Sequence, residues 1–216
     1  MTLVKQNDPA EMLEVFDASG SPTGRAKTRA AIHLDGDWHQ AFHCWVLRHN
    51  AGEVVLQRRS LAKDTFGGLW DAAAAGHWRF GETAAEAARE IAEELGIDVP
   101  FERLTYRHRE PVEHSFPNGL IDREFHQVYV LEDERPLTAY RPDPSEVIGL
   151  AAFPVAELLA VQAGEVASVT ASEAVTVASD GRVEPTRVTV DRAALVPYAA
   201  ARLRRNLGLT NRVDTL

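Results

Sequence analysis

The sequence predicts a mixed α/β fold. Three observations predict it. Short runs rich in Val and aromatic residues recur between residues 11 and 190, each bounded by Gly, Asn, Asp or Ser. One alanine-rich stretch, Thr83 to Leu95, reads as a strong helix among them. The 216 residues are 45% hydrophobic and 25% charged, enough to bury a core and too apolar for a disordered chain.

The elements follow in chain order. EMLEVF, residues 11 to 16, reads as a short strand. The turn Asp17-Ala18-Ser19-Gly20 follows it, with Gly20 free to take positive φ. AFHCWVL (41 to 47) and EVVLQR (53 to 58) read as strands joined at His49-Asn50-Ala51-Gly52. LWDAAAA (69 to 75) runs into Gly76. Thr83 to Leu95 carries five alanines and ends at Gly96 as a C-cap. Residues around His108, Glu110, Pro111, Glu113, His114 and Pro117 read as a long loop, where substrate selection often lives. EFHQVYVL (124 to 131) and VIGLAAF (147 to 153) are strands, and Val155 to Gln162 a short helix. Two Val- and Thr-rich runs flank Ser179-Asp180-Gly181 as a hairpin. Arg192 to Leu207 reads as helical, N-capped by Asp191, with Pro197 either kinking it or starting it. Three units result: an N-terminal hairpin extension over 1–36, a central domain over 37–163, and a C-terminal hairpin and helix over 164–216. The last reads as an appendage on the core or as a homodimer contact.

Composition excludes several functions. One cysteine rules out an intramolecular disulfide framework, and Cys44, mid-strand, reads as a small buried hydrophobe. No run reaches the ~18–20 apolar residues of a spanning helix. MTLVKQNDPAEM lacks the apolar block of a secretory signal, so a cytoplasmic location is expected. A net charge of −9 suits neither a nucleic-acid polymer nor an anionic membrane surface.

The chemistry centres on Gly76 to Ile97. Glu90, Glu93 and Glu94 stand at i, i+3 and i+4, so they share one helical face, with Glu86 a turn earlier. Like charges at that spacing repel by roughly 0.2–0.5 kcal/mol per exposed pair. Hard divalent cations take such carboxylates as ligands. The bland alternative is a solvated acidic face balanced by Arg79 and Arg89.

Gly76, Glu82, Arg89-Glu90-Ile91, Glu93-Glu94 and Gly96-Ile97 resemble the signature of the Nudix hydrolases, in which a loop–helix–loop holds metal against a diphosphate. That resemblance implies a Nudix α/β/α sandwich with a mixed sheet. The family has seven residues between the first Glu and the Arg; here there are six, Thr83 to Ala88. It implies Glu90, Glu94, Glu93 and the Gly76 carbonyl as ligands of Mg²⁺ or Mn²⁺, with Glu93 a ligand or a water-activating base. Arg89 would orient the carboxylates through a salt bridge with Glu82. Glu124, beside Asp122, is the candidate for a further acidic ligand from beyond the helix. The alternation of a strand puts Asp122 and Glu124 on one face, expected to point toward Glu90 and Glu94.

Further segments resemble the isopentenyl-diphosphate isomerase side of the superfamily and its isomerase-like hydrolases. They are His39 to His43, Gln57 to Ser60, Lys63, Leu69-Trp70, Gly76-His77 and Leu120 to Phe125. By that resemblance Arg59 and Lys63 grip diphosphate, and His77 contacts metal or phosphate. His39, His77, Asp122 and Glu124 fall at isomerase metal positions. One histidine of that set looks missing, because Ile32 holds its place with His33 next door. The isomerases also need a cysteine directly before the Gly-His pair, and here that residue is Ala75. The expected function is metal-dependent hydrolysis of a diphosphate linkage in a small molecule. The alternatives are an isomerase-type enzyme and a Nudix-fold module that binds a nucleotide without cleaving it.

Overall fold

The computed structural model describes residues 8–209. β1 (Met12–Phe16) and β2 (Pro22–Thr28) form the N-terminal hairpin. The Asp17 carboxylate closes its turn by accepting the backbone N–H groups of Ser19 and Ser21, both at 2.9 Å, and Gly20 takes φ +83°. α1 (Arg29–Asp35) follows directly, where no helix was expected. Its ends explain it: the Thr28 hydroxyl caps the N–H of Ala31, and Gly36 stops it in the left-handed region.

β3 (Trp38–Arg48) and β4 (Glu53–Arg59) run antiparallel, and β5 (Trp70–Ala72) and β6 (Ala74–His77) flank them. The single helix expected from Thr83 is two, α2 (Ala84–Ala87) and α3 (Arg89–Leu95). Thr83 and Glu86 form a capping box that closes α2. Glu86 is thereby turned back onto Thr83, not stacked on the face of Glu90.

β7 (Leu104–Ser115) and β8 (Ile121–Glu132) form a long antiparallel hairpin. The loop expected around Pro111 is thus strand β7. Among the described residues it pairs only with β8, so as an edge strand it tolerates a residue without an N–H. β9 (Val147–Pro154), α4 (Val155–Ala163), β10 (Ser168–Thr170), β11 (Glu173–Val177), β12 (Val183–Pro185), β13 (Thr189–Asp191) and α5 (Ala200–Asn206) complete the chain. Asp191 caps a single 3₁₀ turn, Arg192–Ala194, and α5 starts only at Ala200, beyond Pro197.

The main sheet runs β12-β11-β9-β4-β3-β1-β2, with β8 parallel to β3 and β7 outside it. Both terminal hairpins are therefore continuous with the central sheet. Side-chain parity divides the core. Trp45 and Leu47 of β3 and Val128 and Val130 of β8 pack with Leu158 of α4 and Leu203 of α5. Phe42, Cys44 and Val46, with Tyr129 and Leu131, pack with Ile91 and Leu95 of α3 on the opposite face. This is a mixed sheet between helices. Cys44 is wholly buried and burial pushes its thiol up to about 12, which fits an inert core position. Among the described residues no helix is long and apolar enough to cross a membrane.

Candidate active site

The same parity, followed to the start of the strands, builds the site. His39 and His43 of β3 and Asp122, Glu124 and His126 of β8 continue the face that carries Trp45 and Val128. β3 and β8 place His39 opposite Glu124, and β6 places His77 opposite Ala41 and Ala75 opposite His43. A fifth imidazole comes from α1. Ile32 turns into a small core with Leu13 and Val15, and His33, one residue and about 100° further round the helix, reaches the cluster. His33, beside the Ile32 position where a histidine looked missing, joins His39 and His77, because a helix turn rather than an extended backbone sets its direction.

The rings of His33, His39 and His77 form a triangle with all three centroid distances 5.1 Å. Asp122 Oδ1 lies 3.6 Å from His33 Nε2 and 3.7 Å from His39 Nε2. Glu124 Oε1 lies 3.7 Å from His39 Nε2 and 3.5 Å from His77 Nε2. Three of these atoms, His33 Nε2, His39 Nε2 and Asp122 Oδ1, are buried with no hydrogen-bond partner among the described residues. Buried polar atoms left unpaired are costly, and several converging on one point fit an ion that satisfies them. Ligand atoms bound near 2.1 Å to one ion stand about 3.0–3.4 Å apart, so these four imidazole–carboxylate distances, 3.5–3.7 Å, exceed that spacing by only a few tenths of an ångström. Three imidazoles and two carboxylates are a fitting donor set for a divalent cation. Burial opposes ionisation of Glu124, but the imidazoles of His126, His39 and His77 hold its carboxyl well below the usual range.

The glutamate helix approaches from the other face. Glu90 lies against the backbone of Gly76, where a Cβ would stand 2.2 Å from its carboxyl carbon. Through that gap Glu90 lines the same cavity as His33, His77, Arg59 and Lys63. Burial, with the nearby Glu94 and Glu93, raises Glu90 to about 8 despite contact with Arg89. Glu93 pairs with Arg89 at 2.9 Å and is the most exposed of the three. Glu94 is fully buried and satisfied by protein donors: Gln57 Nε2 at 2.9 Å, the Ala75 N–H at 2.8 Å and Lys63 Nζ at 3.2 Å. Neither lines the cavity.

The face bearing Asp122 and Glu124 is the α4–α5 face, not the face of α3 as expected from the sequence. Glu124 still shares a cavity with Glu90, because both stand at the end of the sheet where Gly76 lacks a side chain. Glu113, which read as part of a long loop, is half exposed and paired with Arg123 at 3.0 Å. Arg59 donates to Asp71 Oδ2 at 3.1 Å and to the Thr65 carbonyl at 3.2 Å, while Lys63 bridges Glu94 and Glu146. Burial works against the charge on both, and the adjacent carboxylates outweigh it, so both stay cationic.

A NUDIX domain model matches residues 37–172. The chain belongs to the Nudix family. An uncharacterised Nudix hydrolase of Clostridium acetobutylicum is 35% identical over 151 residues, 68% of this chain and 72% of that protein. An isopentenyl-diphosphate Delta-isomerase of Streptomyces griseus is 38% identical over 154 residues, 69% of this chain and 74% of that one. Among solved structures, DR0079 of Deinococcus radiodurans superposes with a TM-score of 0.51 at 25% identity, covering 69% of this chain and 87% of that one. Within this Nudix domain the one-residue shortening lies somewhere between Glu82 and Arg89, the segment that carries α2. It leaves the Glu82–Arg89 contact intact, with Arg89 Nε donating to Glu82 Oε1 at 2.8 Å. Arg89 thus ties Glu82, Glu90 and Glu93 together.

Proposed function

We propose that this chain is a divalent-metal-dependent hydrolase that cleaves a diphosphate linkage in a small molecule. The observation that carries the choice is Ala75. It stands opposite His43 on the imidazole face, at the position where an isomerase of this superfamily needs a thiol, and its methyl group has no proton to give. His33, His39, His77, Asp122 and Glu124 would hold the ion. Its three imidazoles move the preference from Mg²⁺ toward Mn²⁺. A bound ion supplies charge neutralisation on phosphate and a lowered pKa for water. Glu90, reaching the cavity past Gly76 and held largely neutral at pH 7, is positioned to take a proton or a second ion when its carboxyl ionises. Glu93 and Glu94 act through Arg89 and Lys63, fixing their side chains. Arg59 and Lys63 present cations along the cavity wall, Arg59 as a planar fork and Lys63 as a point charge.

A second reading has one specific support. His33 stands with His39 and His77 in one trio of possible ligands, and His39 with Asp122 and Glu124 in another, which supports an isomerase-like ligand set, and the Streptomyces isomerase is 38% identical over 154 residues. One experiment separates the two. Nucleoside di- and triphosphates, nucleotide sugars, dinucleotides and prenyl diphosphates are incubated with the protein and Mg²⁺ or Mn²⁺. Release of phosphate or nucleoside monophosphate supports hydrolysis. Deuterium incorporation into isopentenyl or dimethylallyl diphosphate from deuterated buffer, without phosphate release, overturns it.

A further inference from the structure

The two oxygens of Glu124 face different partners. Oε1 faces His39 and His77, and Oε2 accepts from His126 Nε2 at 2.7 Å. His126 makes a second contact on its other nitrogen: Arg202 Nη2 lies 3.0 Å from Nδ1. A guanidinium can only donate. Nδ1 of His126 therefore accepts, and the ring proton sits on Nε2, aimed at Glu124.

Arg202 itself is fixed on three sides. Its Nε donates to Glu110 Oε1 at 2.7 Å, and its guanidinium lies 4.7 Å from the centre of the Tyr198 ring. Leu203, the next residue of α5, is buried in the core with Trp45 and Val128. His43 stacks on His126 at 3.6 Å between ring centres and 17° between planes, which fixes the plane of the imidazole. His43, Glu124 and His126 also bring three ligand atoms within reach of one ion. Arg202 removes that option, since a metal on His126 Nε2 would put the ring proton on Nδ1 against a guanidinium donor.

We infer that Arg202, on the C-terminal helix outside the matched domain, is a positioning residue for the metal centre. Its donor keeps Nδ1 of His126 without a proton, so the ring donates only from Nε2, holding Glu124 Oε2 and leaving Oε1 turned to His39 and His77. The inference rests on the proposed metal site. The chain Glu110–Arg202–His126–Glu124 gives α5 a role in the chemistry beyond covering the sheet. Outer hydrogen-bond partners of metal ligands commonly change metal affinity about 10- to 100-fold.

The test uses the full chain with ¹⁵N-labelled histidine. In metal-free wild type, His126 should show protonated Nε2 and bare Nδ1. Arg202→Met should abolish that signature and weaken Mn²⁺ binding about tenfold or more by calorimetry. Arg202→Lys, which offers a point donor without the fork, should restore the tautomer and part of the affinity. Arg205→Met removes another partner of Glu110, does not reach His126, and should leave both readouts at wild-type values. A protonated Nδ1 in wild type, an unchanged signature in Arg202→Met, or a lost signature with unchanged Mn²⁺ affinity each overturns the inference. Failure of the wild type to bind Mn²⁺ overturns the metal site, and the inference with it. Normal wild-type binding with an unaffected Arg202→Met overturns the inference alone.

Discussion

The carboxyl carbon of Glu90 lies 2.2 Å from the point where Gly76 would carry a Cβ. No side chain fits there without moving Glu90 or opening β6 from β3. Gly76 is needed for this approach and not for an unusual backbone angle. Gly76→Ala is expected to cost about 1–3 kcal/mol by overpacking. A displacement of the carboxylate by an ångström is enough to lower kcat about 100-fold. Urea unfolding and steady-state kinetics on the same preparation check both. Near wild-type kcat in the alanine variant would show that Glu90 has no part in the reaction.

Glu90 also sets a pH dependence. Its folded pKa of about 8 stands above the ordinary 4.5. Between those values the native chain holds a proton that the unfolded chain has released. Metal-free stability therefore falls as pH rises from about 4.5 to 8, by up to about 1.4 kcal/mol per pH unit from this group, and flattens above 8. Glu90→Gln should remove that slope, raise metal-free stability at pH 8, and abolish hydrolysis. Unfolding curves in chelator at pH 5, 6.5 and 8 measure it. A Gln variant less stable than wild type at pH 8 would make the carboxylate a structural anchor.

Much of this fold was legible because alternation and turn chemistry are local. The strands from Met12, Ala41, Glu53 and Val147 and the turn at Gly20 followed from neighbouring residues alone. What stayed hidden depended on partners distant in sequence. β7 read as a loop because Pro111 forbids a central strand, and only its edge position makes it acceptable. The glutamates were visible as a helical face, but their separation from the imidazoles was not. Parity shows that Asp122 and Glu124 share a face; only packing of Val128 against Leu203 rather than Ile91 shows which face it is. His33 had a readable signal, Thr28 as N-cap and Gly36 as C-cap, which together turn Ile32 inward and His33 toward the site. Nothing local links Arg202 to His126, 76 residues earlier.

His33 and Ile32 should respond differently to substitution. His33→Gln keeps the volume and a polar tip but loses the imidazole. It should weaken Mn²⁺ binding by about tenfold or more while changing metal-free stability little, because among the described residues His33 Nε2 makes no hydrogen bond. Ile32→Val deletes a methylene in the core with Leu13 and Val15 and should cost about 0.5–1.5 kcal/mol. Calorimetric titration and thermal melts distinguish them. Mn²⁺ affinity lost in Ile32→Val and kept in His33→Gln would reverse the roles.

Tyr198 ties the C-terminal segment to the cavity wall. Its hydroxyl donates to Asp71 Oδ1 at 2.7 Å, and Asp71 Oδ2 accepts from Arg59 at 3.1 Å. Burial raises the cost of ionising Asp71, and Arg59 outweighs it, so the carboxyl titrates below its ordinary 3.8. Asp71 thus contributes stability above pH 4 that is lost as acid protonates it. Tyr198→Phe removes one charge-assisted hydrogen bond and should cost about 1.5–3 kcal/mol. Asp71 keeps Arg59 and the Ala72 N–H at 2.7 Å, so it stays ionised and Arg59 stays in place. Asp71→Asn leaves a buried guanidinium without its carboxylate and should cost about 3–5 kcal/mol. It also frees the fork of Arg59, so KM for a diphosphate substrate should move in Asp71→Asn and stay within a few-fold in Tyr198→Phe. Equal KM changes in both would mean that Tyr198 meets the substrate directly rather than through Asp71.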